Sequence, residues 1–555
     1  MRLFISLIVA LFPASCGGGG GTPPATPQLS TLDLAQVDTA VSPLLRFFGS
    51  TGRGDFGVPV AGGADCDGDG NEDFALAAMR AGPLGRPGAG AVFLAFGTGV
   101  VTGSVDSAGA HAGVLRVFGD QTEEVCGNEI WIDDVTGDGI GDLLIGRQNF
   151  TPAAGRLGAG ALSIVVGGAA LRTLAASLDP LDLRAPTVTV TTIVGIAEFD
   201  RLGIWFRTDD VDGDGVRDIV LGADQRNGRA GEAYVIRGGA HLAAGGSFDL
   251  ADLDGNLATI RPPAGSANTH FGATCQVADL DGNGRAEVLI ASTLFRGGAG
   301  LRADGAPVGS ARATGGTPRG TLSIAWDDNF PAAPWPAAFS FVIDQSPGSS
   351  TIIDGGTRNR RFGEEILGGV DYDGDTIADL FVGDITGDWS PSSRSSSGSG
   401  HVLYNAPLLK GLAFDLDNLP AGVAMTTFLG AQAGDIAADT AAHGDFDNDG
   451  IGDLVVMAPH GRALGRSESG TAHVFYGTAG GWPAVIDLLT VDDTLPVRLI
   501  AGAKIRDVLG YSATTGDPDG DGIPDLIVNE MLGEGASGQV NVGNLIVVGA
   551  PLLAR

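Results

Sequence analysis

A nine-residue acidic pattern recurs seven times along the 555-residue chain, and it restricts the possible folds more than any other feature of the sequence. Most copies carry side-chain oxygens at positions 1, 3, 5 and 9, and six of the seven have glycine at position 6. We number the copies loops 1 to 7; they span residues 65–73, 134–142, 210–218, 279–287, 371–379, 445–453 and 517–525. Their starts lie 69 to 92 residues apart, so the chain is built from seven units of similar length.

The residue types in the pattern favour a calcium site. Oxygen atoms that converge across a tight turn suit a hard cation, and Ca²⁺ takes six to eight of them. Mg²⁺ would require a stricter octahedron, and Zn²⁺ would require His or Cys. The alternative is that the aspartates only form turns with their own backbone, but four like charges held together without a cation would be costly. The pattern therefore predicts up to seven Ca²⁺ ions.

Three loops depart from the pattern. Loop 2 has Thr136 at position 3, and loop 4 has Asn283 and Glu287 at positions 5 and 9. Loop 5 has Thr376 in place of the glycine at position 6, and a β-branched residue is poorly suited to a positive φ angle. We expect these three loops to bind Ca²⁺ more weakly, with the occupancy of loop 5 in doubt.

The segments around each loop have the character of short strands. Position 9 leads directly into a short apolar run such as LLIG or IVLGA, whereas an EF-hand would continue to a Glu at position 12 and a helix. One strand signal precedes each loop and two more follow it, and four strands in about 70 residues describe a propeller blade. We predict an all-β, seven-bladed propeller of four-stranded blades.

The two ends of the chain indicate how the ring closes. The last unit stops after its third strand, and an unassigned strand signal, LLRFFGS at 44–50, precedes loop 1. An N-terminal strand that completes the last blade would remove both free sheet edges. A stacked solenoid would need capping repeats, and none is visible. We therefore expect residues 30–555 to form one domain.

The repeats resemble the FG-GAP repeats of the integrin α-subunit propeller and the related VCBS-type calcium-loop repeats of bacterial surface proteins. The resemblance rests on Phe-Gly pairs such as Phe271-Gly272, on the D-x-D-x-D-G-x-x-D loop and on the Gly-Ala-x-x-Val element, which recur in that order. It implies side-chain ligands at positions 1, 3, 5 and 9 and a backbone carbonyl at position 7. The implied calcium ligands are Asp65, Asp67, Asp69, Asn71, Asp73, Asp134, Thr136, Asp138, Ile140, Asp142, Asp210, Asp212, Asp214, Val216, Asp218, Asp279, Asp281, Asn283, Arg285, Glu287, Asp371, Asp373, Asp375, Ile377, Asp379, Asp445, Asp447, Asp449, Ile451, Asp453, Asp517, Asp519, Asp521, Ile523 and Asp525.

The N-terminus has the features of a bacterial export signal. Residues 1–15 combine a basic start with a short apolar run, Cys16 follows small residues, and residues 16–29 are rich in Gly and Pro. This arrangement resembles a lipoprotein signal, with Cys16 lipidated; cleavage by an ordinary signal peptidase is the alternative. No later apolar stretch is long enough to cross a bilayer, so we expect membrane contact only through the lipid. The expected location is the outer membrane or cell surface, or otherwise the extracellular medium.

Composition and motifs narrow the function. A net charge of −33 argues against nucleic acid as a partner, and 43% apolar residues exclude acidic disorder. No catalytic motif is present. We expect a monomeric binding or adhesion module whose protein or glycan ligand contacts the face opposite the loops, where segments 292–319 and 384–400 are unusually long. The alternatives are a polysaccharide lyase or hydrolase and a purely structural envelope protein.

Overall fold

Seven five-stranded sheets arranged around a ring make up the computed structural model of this chain. The structure describes residues 29–50, 55–153, 155–253, 255–262, 269–295, 300–301, 307–308, 319–331, 334–343, 350–356, 361–387 and 394–555. The export signal and Cys16 lie outside these ranges, as does most of segment 292–319. No helix in the described part is long and apolar enough to cross a membrane.

Each blade contains four antiparallel strands with a loop of the acidic pattern between the first and second, and in blades 1 to 6 these strands occur in chain order. In blades 1 to 4 they are Phe56–Ala64, Asp73–Ala78, Ala91–Ala95 and Val114–Phe118; Cys126–Asp133, Asp142–Arg147, Ala161–Val165 and Val190–Val194; Phe206–Asp209, Asp218–Ala223, Glu232–Ile236 and Leu257–Arg261; and Thr274–Ala278, Glu287–Phe295, Arg319–Ala325 and Ser350–Asp354. In blades 5 and 6 they are Ile366–Val370, Asp379–Asp384, Ser399–Leu403 and Met425–Leu429, and Ala441–Gly444, Asp453–Ala458, Thr471–Phe475 and Val497–Ala501.

The N-terminal strand completes blade 7, as predicted. Its first three strands are Leu509–Gly516, Asp525–Glu530 and Asn544–Val548, and Leu44–Phe48 is the fourth. Leu44 pairs with Val548 and Phe48 with Asn544 in an antiparallel register. The prediction of a seven-bladed propeller closed by an N-terminal strand is therefore confirmed.

The predicted four-stranded blade is incomplete, because every sheet has a fifth strand that comes from elsewhere in the chain. It pairs parallel with the fourth strand, and in six blades it lies in the connection between the third and fourth strands of the next blade. For blades 1 to 7 these strands are Leu181–Asp182, Gly246–Asp249, Phe339–Val342, Ala413–Asp415, Val485–Asp487, Ser30–Asp33 and Gly103–Asp106. They have two to four residues, too few for a hydrophobic alternation to be recognisable.

The hydrophobic core is divided among the seven seams between neighbouring blades. Seven buried clusters can be distinguished, and each joins residues of two adjacent blades, including the seam between blades 7 and 1. The second strands are buried along their whole described length, which explains why they read as continuous apolar runs. The first strands contact one another around the ring and so form its inner wall.

Helices are few and occupy connections. Among the described residues, the α-helices are Ala169–Ala176, Arg226–Arg229 and Ala550–Leu553, and the 3₁₀ turns are Pro83–Gly85, Ala240–Ala243, Leu250–Asp252, Asp327–Asn329 and Ala406–Leu409. A two-stranded hairpin, Gly300–Leu301 with Pro307–Val308, lies in the connection between the second and third strands of blade 4. Cys66, Cys126 and Cys275 are buried and unpaired, as expected for small filler residues.

Candidate metal centres

The seven acidic loops all lie on one face of the ring, because each connects the first strand of a blade to its second. We call this surface the loop face. Neighbouring loops are hydrogen-bonded to each other in several places: Gly141 and Gly452 donate their backbone N–H groups to the carbonyls of Asp65 and Asp371, at 2.7 and 2.8 Å. The loops therefore form a continuous part of the scaffold.

Position 6 has a positive φ angle in every loop, which explains the preference for glycine there. In loop 1 the φ of Gly70 is +96°, and in loop 5 Thr376 adopts +71° without the help of a glycine. The expectation that this position requires a left-handed conformation is confirmed. Asp371, Asp373 and Asp379 of loop 5 still group as they do in the other loops, so Thr376 does not change the geometry of the ligands.

The carboxylate at position 1 supports its own loop. In all seven loops it accepts a hydrogen bond from the backbone N–H at position 6, as from Gly70 to Asp65 at 2.7 Å and from Thr376 to Asp371 at 2.6 Å. The turn interpretation of the pattern therefore accounts for the carboxylate at position 1. It does not account for the buried oxygens at positions 3 and 9 that have no donor in loops 4, 6 and 7.

The carboxylate at position 9 is buried and ties the loop to the third strand. In loop 6, Asp453 accepts a hydrogen bond from Phe446 at position 2 and another from Gly477, each 2.8 Å long, and none of its surface is exposed. Gly477 lies two residues beyond the end of the third strand. The corresponding contact occurs in every blade, through Gly97, Gly167, Gly238, Asp327, Asn405, Gly477 and Ala550.

Burial raises the pKa of every position-9 carboxyl group. The pKa of Asp142 rises to about 6, that of Asp73 to about 7, and those of Glu287 and Asp525 to about 8. Desolvation is the main cause, with a smaller contribution from the neighbouring carboxylates of the same loop. A cation placed among these oxygens would offset both effects.

Oxygens from positions 1, 3 and 9 lie close enough together to hold a metal ion. In loops 1, 3, 4, 5 and 6, one oxygen from each position falls within 4.8 Å of the other two. Several of these oxygens are buried and have no hydrogen-bond donor, namely one each of Asp281, Asp447 and Asp525. Asp525 lacks its donor because position 2 of loop 7 is Pro518, which has no N–H group. Ca²⁺ prefers hard oxygen ligands, and carboxylate oxygens without a hydrogen-bond partner fit it.

Position 7 takes part through its backbone. Its N–H group donates to the side chain at position 5 in all seven loops, as from Asn71 to Asp69 at 2.9 Å. The side chain of Arg285 turns away from loop 4 and donates to the carbonyl oxygens of Val211, Asp327 and Phe330. The ligand role of the position-7 carbonyls stays a prediction.

Four basic side chains at the loop face were not found from the sequence. Arg172 contacts Asp67 and Asp69 of loop 1, and Arg237 contacts loop 3. Lys410 lies 3.6 Å from Asp281 of loop 4, and Arg555 lies 3.9 Å from Asp447 of loop 6. Arg172 is separated from loop 1 by about a hundred residues, so no local sequence pattern connects them.

A cluster of charged and aromatic residues lies on the first strand of blade 2 and at the start of the first strand of blade 3, in the inner wall of the ring. The Arg207 guanidinium lies between Trp131 and Trp205, 4.4 and 5.0 Å from the ring centroids. It donates a 2.8 Å hydrogen bond to Glu129. This cluster was not predicted either, because the residues look unremarkable in the sequence until two neighbouring strands are paired.

The family comparison agrees with the repeat architecture. Residues 203–236 and 437–475 match the FG-GAP repeat family model, which confirms the predicted resemblance in blades 3 and 6. No curated protein matches the chain. Among solved structures, the Dos1 propeller is 12% identical over 92% of this chain and 96% of its own, with a TM-score of 0.42.

Two further solved structures are similar at a lower level. The exotype rhamnogalacturonan lyase YesX is 12% identical over 95% of this chain and 91% of its own, with a TM-score of 0.29. The V. cholerae biofilm matrix protein Bap1 is 10% identical over 94% and 91%, with a TM-score of 0.24. Similarity at these levels carries no information about what this chain binds or acts on.

Proposed function

We propose that this chain, a seven-bladed propeller with FG-GAP repeats, is a calcium-stabilised binding or adhesion module of the bacterial cell surface. The observation that carries the proposal is the repeated cradle in which a buried or half-buried side chain at position 3 lies close to a buried carboxylate at position 9, with an oxygen that has no donor in loops 4, 6 and 7. Ca²⁺ in such a cradle supplies the positive charge that these groups lack. The oxygens of positions 1, 3, 5 and 9 would hold it.

Calcium would act through the connections that the position-9 carboxylates already make. Because each of these groups accepts N–H bonds from its loop and from the end of the third strand, a cation that fixes the carboxylate also fixes both segments. The ring would then hold its opposite face rigid for a protein or glycan. Segments 292–319 and 384–400, which we expect on that face, lie partly outside the described residues.

Calorimetry of the full chain with Ca²⁺ and with a chelator tests the calcium proposal. We expect the melting temperature to fall on chelation and to recover when Ca²⁺ is restored, because a ligand that binds only the folded state stabilises it. Mg²⁺ at the same concentration serves as the control cation. An unchanged melting temperature would contradict the proposal.

Surface attachment depends on the N-terminus, which lies outside the described residues. We infer export through residues 1–15 and lipidation at Cys16. Replacement Cys16→Ser should move the protein from the membrane fraction to the soluble fraction without changing its fold. Retention of the variant in the membrane would exclude a lipid on Cys16.

The ligand is best sought with arrays of glycans and proteins, probed with the soluble domain in the presence and absence of Ca²⁺. Binding that requires Ca²⁺ would support the adhesion proposal. Binding that survives chelation would separate the ligand site from the metal sites.

A polysaccharide lyase or hydrolase is the second candidate, and the Arg207 cluster on the inner wall favours it. A guanidinium between two indole rings, beside Glu129, has the residue types that bind and polarise acidic sugars. Incubation with acidic polysaccharides, followed by measurement of new reducing ends and of unsaturated products, tests this function. Activity lost in Arg207→Lys would favour it over simple binding.

A further inference from the structure

Loops 1 and 3 differ from the others because a guanidinium group bridges two of their acidic side chains. In loop 1, Arg172 bonds Asp67 through Nε and Asp69 through Nη2, the latter at 2.7 Å. In loop 3, Arg237 bonds Asp212 through Nε and Asp214 through Nη2, the latter at 2.5 Å. The same two guanidinium nitrogens thus contact positions 3 and 5 in both loops.

The two arginines reach this position from different parts of the fold. Arg172 lies on the helix Ala169–Ala176 of blade 2 and reaches across to the loop of blade 1. Arg237 directly follows the third strand of blade 3 and contacts the loop of its own blade. Each guanidinium also lies near an aromatic ring, with Phe96 at 5.2 Å and Trp335 at 6.0 Å. Two separate origins for one arrangement argue against an accidental surface contact.

The hydrogen bonds at position 3 separate these two loops from loops 4 and 6. Asp212 accepts the N–H of Asp214 on one oxygen and Arg237 on the other, and none of its side chain is exposed. Asp67 is bonded in the same way and is 1% exposed. The corresponding residues of loops 4 and 6, Asp281 and Asp447, each keep one buried oxygen without a donor.

Loop 4 also faces a basic side chain, but it is not closed in this manner. Lys410 directs its ammonium group to Asp328 at 2.8 Å and stays 3.6 Å from Asp281. An ammonium group is a single point charge, whereas the planar guanidinium presents parallel donors that match two carboxylates at once. Loop 4 therefore keeps oxygens that can accept a cation.

We propose that Arg172 and Arg237 take the place of Ca²⁺ in loops 1 and 3, so that calcium enters only the remaining loops. The inference rests on the proposed calcium function and limits it to at most five ions. A Ca²⁺ ion entering loop 3 would have to displace a side chain that is 14% exposed and leave its charge without a partner. Loops 1 and 3 then contain a positive charge supplied by the protein itself, and their rigidity does not depend on the calcium concentration.

The number of bound ions tests the proposal directly. The full chain, dialysed against Ca²⁺ and analysed for metal content, should hold no more than five ions per molecule. The double variant Arg172→Met/Arg237→Met should hold two more than the wild type, because both cradles lose their internal cation. Arg184→Met is the matched control: it removes the same charge from a side chain that pairs with Asp120 away from the loops, and should leave the number unchanged.

The possible outcomes distinguish this inference from the calcium proposal. More than five ions on the wild type, or no gain in a folded double variant, would overturn the assignment of loops 1 and 3. No bound calcium in either protein would instead contradict the calcium function. If the double variant does not fold, Arg172→Gln alone should gain one ion; its side chain is 42% exposed, so its removal disturbs packing least. A folded Arg172→Gln that gains none would also overturn the inference.

Discussion

At the scale of single residues, the position-9 carboxylate is the part of the repeat that connects the loop to the blade. It is buried, it accepts backbone N–H groups from two segments, and its pKa is raised by burial. The acidic side chains of one loop therefore have separate roles: position 1 stabilises the turn, and position 9 bonds the loop to the blade. In loop 7 alone, position 2 is proline, so Pro518 cannot donate one of these hydrogen bonds to position 9.

Replacement of the position-9 aspartate by asparagine should lower stability more in loop 6 than in loop 7. In Asp453→Asn the new amide NH₂ group must face the N–H group of either Phe446 or Gly477. We therefore expect the free energy of unfolding to fall by about 1–3 kcal/mol. In Asp525→Asn the NH₂ group can occupy the side where Pro518 offers no donor. Urea unfolding of both variants in chelator measures the difference, and equal losses would contradict the assigned hydrogen bonds.

A buried histidine should make the protein sensitive to acid. His401 is fully buried in the third strand of blade 5, and desolvation lowers its pKa from 6.5 to about 3. Between these values only the unfolded state binds the proton, so stability falls as the pH is lowered from about 6.5. In His401→Gln the slope of unfolding free energy against pH should become shallower by about 1.4 kcal/mol per pH unit. Denaturant titrations from pH 4 to 6.5, in chelator, measure it; an unchanged slope would contradict burial in the neutral form.

At the scale of elements, the N-terminal segment supplies two strands that close the ring, one in blade 6 and one in blade 7. Ser30–Asp33 is the fifth strand of blade 6, and Leu44–Phe48 is the fourth strand of blade 7. In the other blades the connection between the third and fourth strands supplies the same two elements in the same order. The chain termini therefore lie within the third-to-fourth connection of blade 7.

Deletion of residues 1–49 should prevent the ring from closing. Blade 7 would keep three of its own strands, and blade 6 would lose its outer strand, so we expect an aggregation-prone or partly unfolded product. A chain that begins at residue 29 is the control and should fold. Addition of a peptide spanning residues 29–50 should restore the circular dichroism spectrum and the melting transition of the deleted form. A deleted chain that melts like the control would contradict the role of these strands in closure.

At the scale of the whole molecule, the ring is held together by seven seams and seven shared strands. Every blade buries apolar residues against both neighbours and lends a strand to one of them. No blade described here has a core of its own that excludes its neighbours. The ring should therefore unfold as one unit.

Substitutions in distant seams should affect the same unfolding transition. Phe47 packs edge to face on Phe74 between blades 7 and 1. Between blades 5 and 6, the ring centroids of Phe428 and Phe475 lie 4.9 Å apart. Phe47→Ala and Phe428→Ala should each lower the free energy of unfolding by about 3–5 kcal/mol. Far-ultraviolet and near-ultraviolet dichroism should give one common midpoint for each variant. Two separated transitions in either variant would show that the blades unfold independently.

Much of the architecture could be predicted from the sequence because the repeat marks equivalent points in every blade. The acidic loops locate the first and second strands, the apolar runs locate the second, and the unassigned segment at 44–50 indicates closure. The fifth strands could not be predicted, since Leu181–Asp182 has only two residues and pairs with another blade. Arg172 and Arg237 were missed for a related reason: they approach the loops through space, not through the repeat.

The shared fifth strand also determines how such a ring can grow by gene duplication and where it tolerates circular permutation. A gene segment that runs from the start of one first strand to the start of the next encodes four strands of one blade together with a strand that belongs to the blade before it. Any duplication that adds a blade therefore also adds the outer strand that its predecessor needs. For circular permutation, the third-to-fourth connection is the site of choice, such as residues 96–113 of blade 1, because the natural termini already occupy the corresponding place in blade 7.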